Sequence, residues 1–120
     1  MLRILLVEDH AAFRSTLALI LESEPDLEVV AQAGSLAEAR EALETPLDVA
    51  VVDLSLPDGD GTELIGELHL SNPGVSVLVL SATIEAGHVV DVLRAGADAI
   101  LTKVESHSSI VEEVRRLAGG

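Results

Sequence analysis

The sequence predicts an α/β fold, a single doubly wound sheet of five parallel strands with five helices packed on its two faces. Three observations predict it. Short runs of Val, Leu and Ile alternate with amphipathic stretches along the whole chain, the signature of successive βα units. The units number five, which suits an open sheet and falls short of the eight that close a barrel. The apolar residues, 48% of the chain, are nearly all aliphatic, with Phe13 the one aromatic. Such a core fits helices laid on a parallel sheet.

Each element has its own signal. Ile4 to Val7 is an uninterrupted apolar run, a first strand buried on both sides. Ala11 to Ser23 carries apolar residues at 13, 17, 20 and 21, one face of an amphipathic helix. Glu24-Pro25-Asp26 breaks it. Leu27 to Ala33 is a second strand, which Glu28 and Gln32 mark as an edge strand. Ser35 with Glu38 forms a capping box opening a helix from Leu36 to Glu44, stopped by Thr45-Pro46. Asp48 to Asp53 is the third strand. Gly61 to Leu70 is the third helix, ended by Ser71-Asn72-Pro73-Gly74. Val75 to Leu80 is the fourth strand, with five apolar residues of six. Ile84 to Ala95 is the fourth helix, closed by Gly96. Its Val89, Val90, Val92 and Leu93 predict either a well-buried helix or a dimer surface on helices four and five, or one and five. Ala97 to Leu101 is the fifth strand and Ser106 to Ala118 the last helix. Right-handed crossovers give the flavodoxin-like (βα)5 arrangement, with strand order 2-1-3-4-5.

Residues 1–120 read as one domain, with no second domain, repeat or low-complexity segment. The absence of cysteine excludes disulfides and thiolate metal sites. The formal net charge of −14, against seven basic residues, argues against direct nucleic-acid contact, since phosphate contacts need Lys and Arg. The apolar N-terminus is interrupted by Glu8, Asp9 and His10, too early for a signal segment or a membrane span, so a cytoplasmic location is expected.

In such a sheet, ligands bind beyond the C-terminal strand ends, where the strand order reverses. Glu8 and Asp9 follow the first strand. Asp53 ends the third, and Ser81, Ala82 and Thr83 follow the fourth. Thr102 and Lys103, the only lysine, follow the fifth. Three neighbouring carboxylates repel one another unless a cation sits among them. Oxygen donors suit a hard ion such as Mg²⁺, with Mn²⁺ as an alternative. Lys103 supplies a point charge for a phosphoryl oxygen and Ser81 a hydrogen-bond donor, while Ala82 leaves the site open. Asp53 can act as a nucleophile and become an aspartyl phosphate, in chemistry that rests mainly on positioning and charge neutralisation. The bland alternative is five unrelated loop starts bearing caps and surface charges. Convergence on one edge favours the chemistry.

The motifs Val7-Glu8-Asp9-His10, Asp53-Leu54-Ser55-Leu56-Pro57-Asp58-Gly59-Asp60-Gly61, Leu80-Ser81-Ala82, Arg94-Ala95-Gly96-Ala97-Asp98 and Leu101-Thr102-Lys103 together resemble the receiver domain of two-component response regulators. The resemblance runs from Leu2 to about Ala118. It implies that Asp53 is the phosphoacceptor, fed by a phosphohistidine of a sensor histidine kinase. It further implies that Glu8, Asp9, Asp53 and the Ser55 backbone carbonyl hold Mg²⁺, and that Ser81 and Lys103 bind the phosphoryl oxygens. His10 and the Ala-Gly-Ala-Asp segment resemble the NarL/FixJ-type subfamily, which implies a C-terminal helix-turn-helix output domain that binds DNA. A homodimer formed on phosphorylation is a further implied partner.

Three features depart from the family pattern. Ile100 stands where an aromatic often swings inward. Val104 stands where a proline often follows the lysine. The chain stops at Ala118-Gly119-Gly120, so it is expected to be a piece of a longer regulator, with a stand-alone receiver as the alternative. A degenerate receiver serving only as a docking module also competes. So does a small Asp-nucleophile phosphatase resembling haloacid-dehalogenase-type hydrolases, but Ser55 occupies the place of that family's second Asp. A flavodoxin-type FMN binder would want aromatics that one Phe cannot supply. Gly59-Asp60-Gly61 meets neither the dinucleotide nor the P-loop fingerprint. The Asp58/Asp60 pair has His69 where an EF-hand needs Glu.

Overall fold

Strand residues alternate between two apolar layers, and this sorts the helices. In the computed structural model, which describes residues 1–82 and 85–119, Leu5, Val7, Ala50, Val52, Val77 and Val79 face one side, against Leu36, Leu64, Ile65, Leu68 and Val92. Ile4, Leu6, Val49, Val51, Leu78 and Leu80 face the other, against Leu17, Leu21, Ile110 and Val114. Both faces are covered, so the central strands are continuous apolar runs.

The elements in chain order are β1 (Leu2–Val7), α1 (Ala11–Glu22), β2 (Leu27–Ala33), α2 (Leu36–Glu41), β3 (Val49–Asp53), β4 (Ser55–Leu56), β5 (Gly59–Asp60), α3 (Thr62–Ser71), β6 (Ser76–Ser81), α4 (Ala86–Arg94), β7 (Ala99–Thr102) and α5 (His107–Gly119). The main sheet has the order β2-β1-β3-β6-β7, and its strand pairs are parallel. Counting only its own strands, this is the predicted 2-1-3-4-5, with β2 on an edge. Helices α1 and α5 cover one face; α2, α3 and α4 cover the other. The order reverses between β1 and β3, so their C-terminal tips flank the crevice.

Four differences from the sequence reading have local causes. First, α2 stops at Glu41, three residues before the predicted Glu44. The Asn72 amide donates to the Leu43 and Thr45 carbonyls and its oxygen accepts from Leu47 N–H. Those carbonyls are drawn into a tight turn instead of a further helical one. Second, the Pro57–Gly61 region holds a small antiparallel hairpin, Ser55 opposite Asp60 and Leu56 opposite Gly59. The Asp58 carboxylate at its tip accepts from Leu36 N–H (2.8 Å) and Ala37 N–H (3.0 Å), capping α2 from 22 residues away. Third, the capping box is displaced. Ser35 Oγ accepts from Glu38 N–H, but the Glu38 carboxylate reaches back to Gly34 N–H. Fourth, α4 is not buried all round: Val92 is buried, while Val90 and Leu93 are 46% and 45% exposed. Its predicted start at Ile84 lies outside the described residues, as do Thr83 and Gly120. Its end is a Schellman motif: Gly96 adopts φ +114°, and Gly96 N–H and Ala97 N–H donate to the Leu93 and Val92 carbonyls.

Candidate functional site

The C-terminal tips of β1, β3, β6 and β7 bring the predicted residues to one edge. Parallel pairing sets the heights: Asp53 lies opposite Leu80, and Ser81 opposite Thr102. Lys103 continues this register by donating its N–H to the Ser81 carbonyl at 2.8 Å. Glu8 does the same on the other side, donating its N–H to the Ala33 carbonyl.

Three carboxylates meet there. Glu8, Asp9 and Asp53 each offer an oxygen, all within 4.8 Å of one another. Glu8 and Asp53 are buried, at 1% and 2% exposure, and Asp9 is exposed at the mouth. The Lys103 ammonium lies 2.9 Å from Asp53 Oδ2, to which it donates a hydrogen bond. It lies 2.5 Å from Glu8 Oε1 as well, so the two buried carboxylates share the one ammonium. The second Asp53 oxygen accepts from Ser55 N–H at 3.2 Å.

One ammonium against three carboxylates leaves a surplus of negative charge. Burial, and next the hydrogen-bonded Asp53 carboxylate, push Glu8 up to about 7 against the pull of Lys103. Burial alone would lower the Lys103 ammonium. Its hydrogen bonds to Asp53 and Glu8 outweigh that and hold it above the usual lysine value. Without a metal, then, the pocket relieves part of its repulsion by binding a proton. An all-oxygen donor set that is short of positive charge fits a hard divalent cation.

The structure thus brings Glu8, Asp9, Asp53 and Lys103 together. Ser81, 7% exposed, ends β6 on the same edge, and Ser55 sits two residues past Asp53 at the start of β4. Supporting contacts made by the motif residue His10, and by Arg14 and Phe13, escaped the sequence reading. His10 caps α1, accepting from Phe13 N–H through Nδ1, and donates its own N–H to Glu8 Oε2. Arg14 donates to the Glu8 carbonyl at 2.7 Å. Phe13 lies with its ring centroid 5.5 Å from Lys103 Nζ. Histidine is outside the usual N-cap set of Ser, Thr, Asp and Asn, so position 10 carries no cap signal, and Phe13 is visible only as part of an apolar stripe. Gly61 has a steric role: a Cβ there would run into the Asp53 backbone oxygen and approach Leu54 Cα at 3.1 Å.

A doubly wound sheet with an acidic, lysine-bearing pocket at its switch point defines the class of signalling receiver domains. Residues 4–115 match the response regulator receiver domain family, and the chain belongs to that family, the receivers of two-component systems. Among its relatives is the DNA-binding transcriptional activator DevR/DosR of Mycobacterium tuberculosis, 34% identical over 121 residues; the match covers 100% of this chain and 56% of that protein. The signal receiver domain of the response regulator NarL from the same organism superposes with a TM-score of 0.91 at 29% identity, covering 99% of this chain and 97% of that one. A Burkholderia pseudomallei response regulator, solved with a phosphorylated aspartic acid, a calcium ion and citrate, superposes with a TM-score of 0.86 at 27% identity. That match covers 99% of this chain and 69% of the other. Among the described residues, no helix is long and apolar enough to cross a membrane.

Proposed function

We propose that residues 1–120 act as one receiver that accepts a phosphoryl group on Asp53 from a phosphohistidine of a sensor histidine kinase. One observation carries the reading. A buried carboxylate at the tip of β3 is hydrogen-bonded to the only lysine of the chain and has two more carboxylate oxygens within 4.8 Å. Asp53 forms an O–P bond as the kinase N–P bond breaks; the leaving imidazole keeps the electron pair and takes a proton from solvent. Lys103, already seated against Asp53, and Ser81 donate hydrogen bonds to the phosphoryl oxygens. Glu8, Asp9, Asp53 and the Ser55 carbonyl would hold Mg²⁺, or Mn²⁺ in its place. When bound, the ion neutralises charge on the transferring group. The phosphoaspartate and calcium ion of the Burkholderia relative support this assignment.

The domain is a switch whose catalysis is confined to its own phosphorylation and dephosphorylation. The Mycobacterium relative, of which this chain spans 56%, is a DNA-binding activator. That supports a cytoplasmic transcription regulator in which a separate helix-turn-helix domain contacts DNA, with phosphorylation favouring a homodimer. The test is incubation with acetyl phosphate and Mg²⁺ followed by intact-mass measurement. Wild type gains one phosphoryl mass and Asp53→Asn gains none. An adduct of equal yield on Asp53→Asn overturns the assignment.

A further inference from the structure

Phe13 is the only Phe of a chain without Tyr or Trp, and Lys103 its only lysine. The structure places them together. The ammonium is held on one side by Glu8 and Asp53, with the Phe13 ring centroid at 5.5 Å, within the range of a cation–π attraction. The same ring meets the His107 ring at a centroid distance of 5.9 Å, tilted by 46°, within the contact range of aromatic pairs. His107 is the first residue of α5. All three side chains are half-buried.

We propose that Phe13 is a positioning residue that seats the Lys103 ammonium and carries its displacement to the start of α5 through His107. This rests on Asp53 being the phosphoacceptor. When a phosphoryl group occupies Asp53, the ammonium follows the negative charge onto the new oxygens and its distance to the ring changes. The ring, in contact with His107 and packed on the α1–α5 core, shifts with it. Ile100, where the family often carries an aromatic, packs with the α2–α4 face. Phe13 packs with the α1–α5 face. The aromatic route out of this pocket therefore leads to α1 and α5, the side of the sheet opposite Ile100.

A single Phe makes the test direct. The 120-residue chain labelled with 4-fluorophenylalanine gives one ¹⁹F resonance. With phosphoramidate and Mg²⁺, that resonance is expected to move or split, in the proportion that intact mass reports as phosphorylated. Phe13→Leu keeps the apolar volume and is expected to slow phosphorylation by about three- to tenfold through loss of the ring face. Amide hydrogen exchange over residues 110–118 reads the far end. Phosphorylation changes it in wild type, and His107→Ala, phosphorylated normally, loses at least about half of that change. An unmoved ¹⁹F resonance in a fully phosphorylated sample, or a wild-type exchange response in both Phe13→Leu and His107→Ala, overturns the bridge alone. Absence of any phosphate on wild type overturns the phosphoacceptor reading and the bridge with it.

Discussion

Glu8, with 1% of its surface exposed, shares its pocket with two further carboxylates and one ammonium, and its titration is where the site's charge surplus becomes measurable. Its folded value of about 7 stands above an ordinary value of 4.5. Between those two values the folded chain binds more protons than the unfolded chain, so stability falls as pH rises through that window. The loss is complete above about pH 7 and absent below about 4.5, and is on the order of 3 kcal/mol. Asp48, held low by its bonds from Arg3 N–H and the Arg3 side chain, gains stability with rising pH, but in a window below the usual carboxylate range. Urea unfolding in EDTA should therefore show wild type weakening from pH 5 to pH 8, and Glu8→Gln showing little of that slope. An equal slope in the variant would place the charge surplus elsewhere. Glu8, Asp9, Asp53 and Lys103 were legible as a group because parallel strands all end at one edge. The contacts of His10, already singled out by its motif, and of Arg14 and Phe13 were not, because they depend on how α1 turns back over the β1 tip, which strand-end counting does not address.

The elements show where local signals decide and where tertiary contacts take over. Apolar runs located β1, β3 and β6, since strands buried on both faces leave no other pattern. The end of α2 was misread because Ala42, Leu43 and Glu44 prolong a helical pattern, while the Asn72 side chain that captures the Leu43 and Thr45 carbonyls comes from the end of α3. The β4–β5 hairpin was missed for the same reason, its tip being fixed by Asp58 on the N-terminus of α2. That hairpin returns the chain past Asp53 at Gly61, whose N–H donates to the Leu54 carbonyl at 2.8 Å. Gly61→Ala must push the Asp53 backbone oxygen away. It should cost about 1–3 kcal/mol, the range of overpacked sites, and should diminish the stabilisation by Mg²⁺. Gly66, in mid-α3, is exposed with nothing near its missing Cβ. Gly66→Ala should stabilise by about 0.5–1 kcal/mol and leave the Mg²⁺ response intact. Denaturation of both variants with and without Mg²⁺ separates a steric effect on the site from a general glycine effect. Equal Mg²⁺ responses would show that Gly61 does not shape it.

At the scale of the whole molecule, the net charge of −14 produces two kinds of repulsion that respond differently to ions. Arg3, Arg40, Arg115 and Arg116 are paired with surface acids, which leaves a large carboxylate excess spread over the exterior. That diffuse term weakens with any salt, since the screening length falls to about 10 Å at 0.1 M. The pocket term is different: Glu8 and Asp53 are buried, where mobile monovalent ions screen poorly. It yields only to a cation that enters among the three carboxylates. Melting in EDTA should therefore rise gradually with NaCl, and Mg²⁺ should add a further increment at matched ionic strength. At tenfold over its dissociation constant, an ion that binds only the folded state contributes about 1.4 kcal/mol, a rise of about 4–6 °C for a domain of this size. Asp53→Asn and Glu8→Gln should abolish or sharply reduce that increment while keeping the NaCl dependence, because each leaves the exterior unchanged. If NaCl reproduces the Mg²⁺ curve in wild type, the acids act only as part of the diffuse surface charge. The pocket would then lack the metal site on which phosphorylation of Asp53 is proposed to depend.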